Sequence, residues 1–460
     1  MSVITRPWGR LSTAGKVLLP LIALFVLLNL LLLMGVASGV IPAVVRFVVD
    51  LLVANIGIVR FVVAATVILL ISVPVAFINI YMEMKFIAFI NARLGPNRVG
   101  PWGLLQSAIH GFKVLAKEDF TPTGVDVPVF TLAPAVVYLA AVLSLLVVPF
   151  APGLFGVDMN LGLLYFFAIS GLSVVGLLMA GWSSFNKYSL LGALRAAAQV
   201  ISYEIPLTLA VVGVILLGGT LSLNQIVAQQ SGWFWDWYVF QQPLGFFIFF
   251  VAATAEGNRA PFDLTEADSE IVAGFATEYS GMRFGFFFFA EYVAMFVLGG
   301  LATVLFFGGW NAPFDLAPLL HALNITINPA LDFGQLGLGL LFLIALGPPL
   351  VILLIALPIW MLRSDWSLLK SLVVAFLIFN VLVMLAIGLW LAVSFAAVMG
   401  LFWFVAKTYL FVFVFVWLRG TLPRVRVDQL MGFAWKWLLP ASLLNLFVTA
   451  LAIVTLRAIR

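Results

Sequence analysis

The chain has 460 residues, 64% of them hydrophobic and only 9% charged, with a formal net charge of +4 and a mean hydropathy of +1.20. A soluble domain carries roughly a quarter charged residues, so an ordinary soluble protein is excluded. There is no cysteine, which excludes a disulfide, a thiolate metal site or an iron–sulfur cluster built from this chain.

Apolar runs of 18 or more residues recur without the alternation of a transmembrane barrel. The fold class expected is therefore an all-α polytopic membrane protein, one bundle of about eleven transmembrane helices with cytoplasmic amphipathic helices. In chain order the spans are predicted near 17–37, 61–82, 130–149, 162–182, 205–221, 243–256, 285–307, 336–360, 371–392, 399–418 and 437–456. The ninth and tenth run together from Ser371 to Leu418, with Gly400 the only plausible turn. The first span is read as a retained helix, because its apolar core is long and no small-residue cleavage site follows it. Ile41 to Val59 reads as an amphipathic helix lying on the membrane. Of the 23 basic residues, 18 fall in alternate segments, 1–16, 83–129, 183–204, 257–284, 361–370 and 419–436. That bias sets the N-terminus and these segments on the cytoplasmic side. It also accounts for the net positive charge without a nucleic-acid partner. No repeat, P-loop or dinucleotide glycine motif is present. With only two histidines, His110 and His321, the sequence argues against a bis-histidine haem of the chain's own.

Four polar constellations interrupt this apolar background. In the loop 91–119, Gly95-Pro96 and Gly100-Pro101 force turns. From Leu104 onward, Leu105, Ala108, Ile109, Phe112, Leu115 and Ala116 follow helical spacing, while His110, Lys113 and Lys117 share another face. This reads either as a basic surface anchor or as the polar wall of a cavity for an amphiphilic ligand. In "LRAAAQVISYEIP", Glu204 stands at the predicted start of a span, nine residues after Arg195. It is a helix cap or a functional intramembrane acid. Residues 256–281 gather Glu256, Asp263, Glu266, Asp268, Glu270 and Glu278, six of the chain's nineteen acids, with Arg259 the only basic residue in that stretch. Asp263 with Glu266 resembles a capping box, and Asp263, Glu266 and Glu270 share a helix face. Capping explains one or two acids; crowded carboxylates able to share protons suit a proton path. Glu291 follows, alone among phenylalanines, where a charge is costly unless it faces water or a partner. Finally, residues 419–436 hold Arg419, Arg424, Arg426 and Lys436 with Asp428 as the expected local partner, and Lys407, inside a span, calls for a carboxylate.

The stretches "ARLGPNRVGPWGLLQ", "LRAAAQVISYE", "AEGNRAPFDLTEADSEIVAGFATEYSG" and "LRGTLPRVRVDQLM" resemble, in order and over about residues 60 to 455, the signatures of the quinone-site membrane subunit of respiratory complex I. This is the family called H in bacteria and 1 in mitochondria. The resemblance implies a membrane subunit of a proton-pumping NADH:quinone oxidoreductase, without a redox cofactor of its own. It would form the quinone chamber with peripheral-arm subunits and contact small and antiporter-like membrane subunits. Quinone is then the substrate, while flavin and iron–sulfur clusters belong to partner subunits. The resemblance places a glutamate funnel at Glu204, Glu256, Glu266, Glu270, Glu278 and Glu291, extended by Asp263 and Asp268. For the quinone side, Lys85, Arg93, His110, Lys113, Arg195, Arg259, Arg424 and Arg426 are the candidates. It implies a bacterial cell membrane location.

The chain departs from the family pattern on that side. It has Glu83-Met84-Lys85 where the family has Glu-Arg-Lys or Glu-Arg-Arg, and Ile109-His110 where it has Ala-Asp. It has Val425-Arg426-Val427-Asp428 for Phe-Arg-Tyr-Asp, and Ala193 in place of a glycine. These changes bear on how a headgroup is held and which quinone is used. Against the family's eight spans the chain carries one extra N-terminal helix, within 1–60, and an inserted pair, within 311–398. The remaining family helices fall in 61–310 and 399–460. The nearest alternative is the same fold in a ferredoxin- or F420H2-fed dehydrogenase or a membrane-bound hydrogenase. A free-standing ion transporter is the alternative of another class.

Overall fold

The computed structural model describes residues 56–263, 273–314 and 396–459. The chain falls into two compact units, Met1–Val63 and Ala64–Arg460, and the candidate site lies wholly within the second. The predicted spans 17–37, 336–360 and 371–392, and nearly all of the 41–59 amphipathic segment, lie outside the described residues. So do Glu266, Asp268, Glu270 and His321.

The described residues are helical apart from loops and an isolated bridge between Ala151 and Leu154. The order is α1 (Ile56–Ile90), α2 (Gln106–Leu115), α3 (Val127–Ser144), α4 (Gly162–Ser170), α5 (Leu172–Ser183), α6 (Lys187–Gly218), α7 (Leu223–Gln229), α8 (Tyr238–Gln241), α9 (Pro243–Glu256), α10 (Gly281–Phe306), α11 (Ala396–Thr421), α12 (Val427–Phe433) and α13 (Leu439–Ile459). Seven stretches among them are long and apolar enough to cross a membrane: Ala64–Ile90, Val127–Val147, Gly162–Ser183, Lys187–Gly218, Gly281–Phe306, Met399–Thr421 and Val427–Thr455. The chain is thus a multi-pass membrane protein. The predicted span 243–256 forms as α9, but its 14 residues reach only about 21 Å, short of a hydrocarbon core of roughly 30 Å.

α10 is the most enclosed of the seven, with 78% of its apolar window buried. It packs against α3, α2 and α11. With no hydrophobic drive between helices in lipid, close approach depends on small residues. A Cβ on Gly299 would meet Phe411 Cβ and the Thr408 carbonyl at 3.3 Å, and one on Gly176 of α5 would lie 2.5 Å from Val137 Cγ2 of α3.

The structure extends several helices past their hydropathy limits. α6 begins at Lys187, capped by Asn186, whose Oδ1 accepts from the Tyr188 N–H at 2.9 Å, and not near 205. Arg195 and Glu204 therefore lie inside a 32-residue helix, and Glu204 is not a helix cap. The reason is that hydropathy registers the charged residues 187–204 as a break, while their Leu and Ala content favours helix throughout.

Lys407 also differs from expectation. It is 9% exposed, yet its ammonium donates to three backbone carbonyls: Phe307 at 2.7 Å, Gly309 at 3.1 Å and Asn311 at 2.5 Å. It also lies 4.2 Å from the Trp237 ring centroid. The carbonyls beyond the C-terminal end of α10 satisfy the charge in place of a carboxylate, at the end of a helix where the dipole favours a cation. Lys407→Met keeps the stem and removes all three donors. Each buried carbonyl left unmet costs about 1–3 kcal/mol, so the variant is expected to lower the complex's thermal midpoint clearly. Calorimetry in detergent or nanodiscs checks this, and an unchanged midpoint would show that the cage is not stabilising.

Candidate functional site

α9 ends at Glu256, and the loop after it, 257–263, is tied down by side chains from three directions. Gln199 of α6, fully buried, donates through Nε2 to the carbonyls of Ala255 and Phe262, both at 2.7 Å, and to Asn258 Oδ1 at 3.3 Å. Its neighbour Tyr203, also fully buried, donates to the Leu430 carbonyl of α12 at 2.9 Å.

Within that loop Arg259 is 3% exposed and Glu83, near the end of α1, is 6% exposed. Arg259 Nη1 donates to Glu83 Oε2 at 3.0 Å. The second Glu83 oxygen accepts from Arg419, near the end of α11. The Arg259 guanidinium also stacks 4.3 Å from the Tyr292 ring centroid of α10. Two turns after Glu256, Asp263, 2% exposed, accepts from Arg424 Nη2 at 2.9 Å. Ion pairs and the Tyr292 contact thus join α1, the 257–263 loop, α10, α11 and the segment leading into α12, with Glu83, Asp263 and Arg259 buried and Arg419 and Arg424 more accessible. Arg419 and Arg424 reach Glu83 and Asp263, not the predicted Asp428, which sits in the first turn of α12. Asp263 serves as an ion-pair partner; the capping box and the shared face expected of Glu266 and Glu270 fall outside the described residues.

Beside the loop is a cavity of about 90 Å³ lined by Glu256, Glu291, Asn258, Ser144, Ser170 and Ser173, among mostly apolar side chains. It has space for several waters, because a single water occupies roughly 10–15 Å³ of such volume. Glu256 Oε2 is buried with no hydrogen-bond partner. Glu204 Oε1 lies beside Gly171, 3.6 Å from where its Cβ would be, between Ser170 and Ser173 in sequence. Two predicted acids from two helices, α9 and α10, are therefore brought to one cavity, and Glu204 of α6 reaches Gly171, next to its lining residue Ser170. Glu278 is held apart: its Oε1 accepts from Asn186 Nδ2 at 2.6 Å, at the start of α6.

The basic candidates divide. Arg259 and Arg424 belong to the ion-pair network. Arg195, half-buried on α6, lies one turn before Gln199. Arg93 lines a second cavity of about 310 Å³ with Glu83, Met84, Ile87, Leu94, Gly95 and Pro96, and Lys85 packs against Gly95. His110 and Lys113 are exposed on α2, whose buried positions are Ser107 and Gly111. Its apolar side is open as well, with Phe112 67% exposed. Neither His110 nor Lys113 lines either of these two cavities. Arg426 is exposed immediately before α12. Among the described residues no group of three or more His, Asp or Glu side chains is placed to hold a metal ion.

Comparison with known proteins bears on the whole assembly of helices. The family described as NADH dehydrogenase matches residues 62–450. The H subunit of NADH-quinone oxidoreductase from Brevibacillus brevis is 40% identical over 387 residues, covering 84% of this chain and 91% of the relative. The Bacillus cytotoxicus protein of the same description is 42% identical over 386 residues, 83% of this chain and 91% of the relative. One from Solibacter usitatus is 41% identical over 383 residues, 80% and 90% respectively. The chain belongs to this family of NADH-quinone oxidoreductase H subunits. The complex I resemblance of the sequence motifs is thereby borne out.

The motif stretches that carry the family resemblance lie in the network and the cavity just described. "LRAAAQVISYE" supplies Gln199, Tyr203 and Glu204, and the 255–281 stretch supplies Glu256, Asn258, Arg259 and Asp263. Sequence reasoning missed Glu83 and Arg419 as partners, and Gln199 and Asn258 altogether. The available signal for Glu83 was an acid at the end of an apolar span. Nothing in the sequence connected it with an arginine 176 positions away.

Proposed function

We propose that the chain is the quinone-site membrane subunit of a proton-pumping NADH:quinone oxidoreductase, linking quinone reduction to proton movement through its clustered glutamates. The observation that carries this reading is one cavity lined by Glu256 and Glu291 beside the Arg259–Glu83 network, with Glu204 reaching Gly171 next to its lining residue Ser170. Carboxyl groups within one another's field share protons rather than titrating singly. A change of charge on the quinone side is then felt through the ion pairs that fix the loop carrying Glu256.

In this reading the 310 Å³ cavity beside Glu83 and Arg93, and the open face of α2 with His110 and Lys113, border the quinone chamber, which peripheral-arm subunits complete. Arg195, Arg259, Arg424, Arg426 and Lys85 supply positive charge along it. Glu266, Asp268, Glu270 and Glu278 extend the acid array beyond the cavity. The electrons come from an iron–sulfur cluster of a partner subunit. This chain's own residues bind and orient the quinone, exclude water around it and relay protons. The protein lies in a bacterial cell membrane with the acid-rich loop on the cytoplasmic side.

Purifying the complex through a tag on this chain and identifying its companions by mass spectrometry tests the reading. Flavin and iron–sulfur subunits with antiporter-like membrane subunits are expected. A hydrogenase-type or F420-type input module would move the function to that relative, and a chain that purifies alone and transports ions would replace it with a transporter. A second expectation concerns the family departure on α2. His110→Asp should change the apparent affinity for quinone about threefold or more while leaving the proton-to-electron ratio unaltered. Steady-state kinetics against quinone concentration check this, and an unchanged KM would remove His110 from the quinone side. An added charge near a bound group acts on binding when the contact is the same in ground and transition states.

A further inference from the structure

At the end of α9 opposite Glu256, a polar node joins α6, α9 and α13. Gln242 and Asn445 are 3% and 5% exposed. Gln242 Nε2 donates to the Gly213 carbonyl of α6 at 3.1 Å and to Thr449 Oγ1 of α13 at 2.7 Å. Thr449 Oγ1 spends its own proton on the Asn445 carbonyl, also at 2.7 Å, so it accepts from Gln242. These bonds fix which way the Gln242 amide faces. Turned over, its oxygen would meet the Gly213 oxygen, acceptor against acceptor.

Gln242 Oε1 therefore faces away from them, buried with no partner, and Asn445 Nδ2 is likewise buried with no partner. One is an acceptor and the other a donor. Both approach the same two glycines. A Cβ on Gly213 would lie 2.6 Å from Gln242 Oε1 and 3.2 Å from Asn445 Nδ2; one on Gly245 would lie 2.7 Å and 3.0 Å from the same atoms. The glycines keep clear the space that the two orphaned groups share.

We propose that this space is a binding site for a single water molecule, which donates to Gln242 Oε1, accepts from Asn445 Nδ2 and so bridges the start of α9 to α13. A buried water is the usual answer to such a pair: it makes about two to four hydrogen bonds to polar groups that have no other partner. An ion is disfavoured, because only neutral amide and hydroxyl groups line the site and a charge there would be poorly solvated. The bridge ties α13 to the start of α9, whose other end carries Glu256, yet it does not rest on that residue's role.

The test is a cryo-EM map of the intact complex at a resolution that shows ordered waters. Density between Gln242 Oε1 and Asn445 Nδ2, bounded by Gly213 and Gly245, is expected. A direct amide–amide bond with no density between the groups overturns the proposal. Gly213→Ala, whose Cβ intrudes on the site, should abolish that density and lower the thermal midpoint by a few degrees. Gly432→Ala, where nothing lies within 4 Å of the added Cβ, should leave the midpoint unchanged. A Gly213→Ala complex that keeps both the density and the midpoint would equally overturn it.

Discussion

Glu83→Gln is expected to destabilise the protein by roughly 3–5 kcal/mol, the usual loss when one partner of a buried ion pair is removed. The substitution keeps the shape of the side chain and deletes its charge. Glu83 offers one oxygen to Arg259 and the other to Arg419, with its side chain 8% exposed against 4% for Arg259. Arg419 is more accessible, at 25% of its side chain, and its share of the loss is the smaller. Glutamine keeps one acceptor oxygen but sets an amide N–H2 donor where the other arginine needs an acceptor, so one charge-assisted hydrogen bond and the carboxylate's charge are lost together. The measurement is the yield and thermal midpoint of the assembled complex. Glu83→Leu combined with Arg259→Met should recover part of the loss, because replacing a buried pair by apolar residues of similar volume is often neutral. A Glu83→Gln complex with wild-type yield and midpoint would refute the idea that this network holds the 257–263 loop.

Glu204→Gln, Glu256→Gln and Glu291→Gln should each reduce coupled quinone reductase activity by about tenfold or more. General acid–base groups typically contribute 10²–10⁴-fold where they transfer the proton. Glutamine preserves volume and hydrogen bonding but cannot exchange a proton, so the substitutions separate a relay role from packing. Electron transfer from NADH to an artificial acceptor at the peripheral arm should persist, because that arm's cofactors lie elsewhere. Glu278→Gln serves as the comparison. Its carboxyl holds Asn186, which caps α6, so Glu278→Gln is expected to add a structural defect, seen as a lowered thermal midpoint, to its loss of coupling. Parallel loss of artificial-acceptor activity in the three cavity variants would point to failed assembly. Normal coupled activity in all three would remove the cavity from the proton path.

Some of this was legible before any coordinates. Apolar content and run length determined that the chain is a helical membrane protein, since each run must satisfy its backbone internally to cross lipid. The six acids of 256–281 and Glu291 stood out because charge is costly in such surroundings. The ordered motifs pointed to the family. Hydropathy also located seven of the described spans, but it misplaced their ends: the long amphiphilic turns of α6 and α12 are helical yet too polar to register as membrane.

Only the tertiary structure decided which groups meet. Arg259, set among acids in the sequence, bonds to Glu83; Arg424 bonds to Asp263, and Lys407 to three carbonyls. Of the two readings open for Glu204, the helix cap falls away: it stands in the middle of α6, against Gly171. In each case a buried charge is satisfied by whatever oxygen the packing brings within about 3 Å. That choice depends on helix register across positions up to 336 apart, and local sequence contains no record of it. What the sequence by itself determined was the number and kind of charges that had to be buried. The fold decided how each of them was answered.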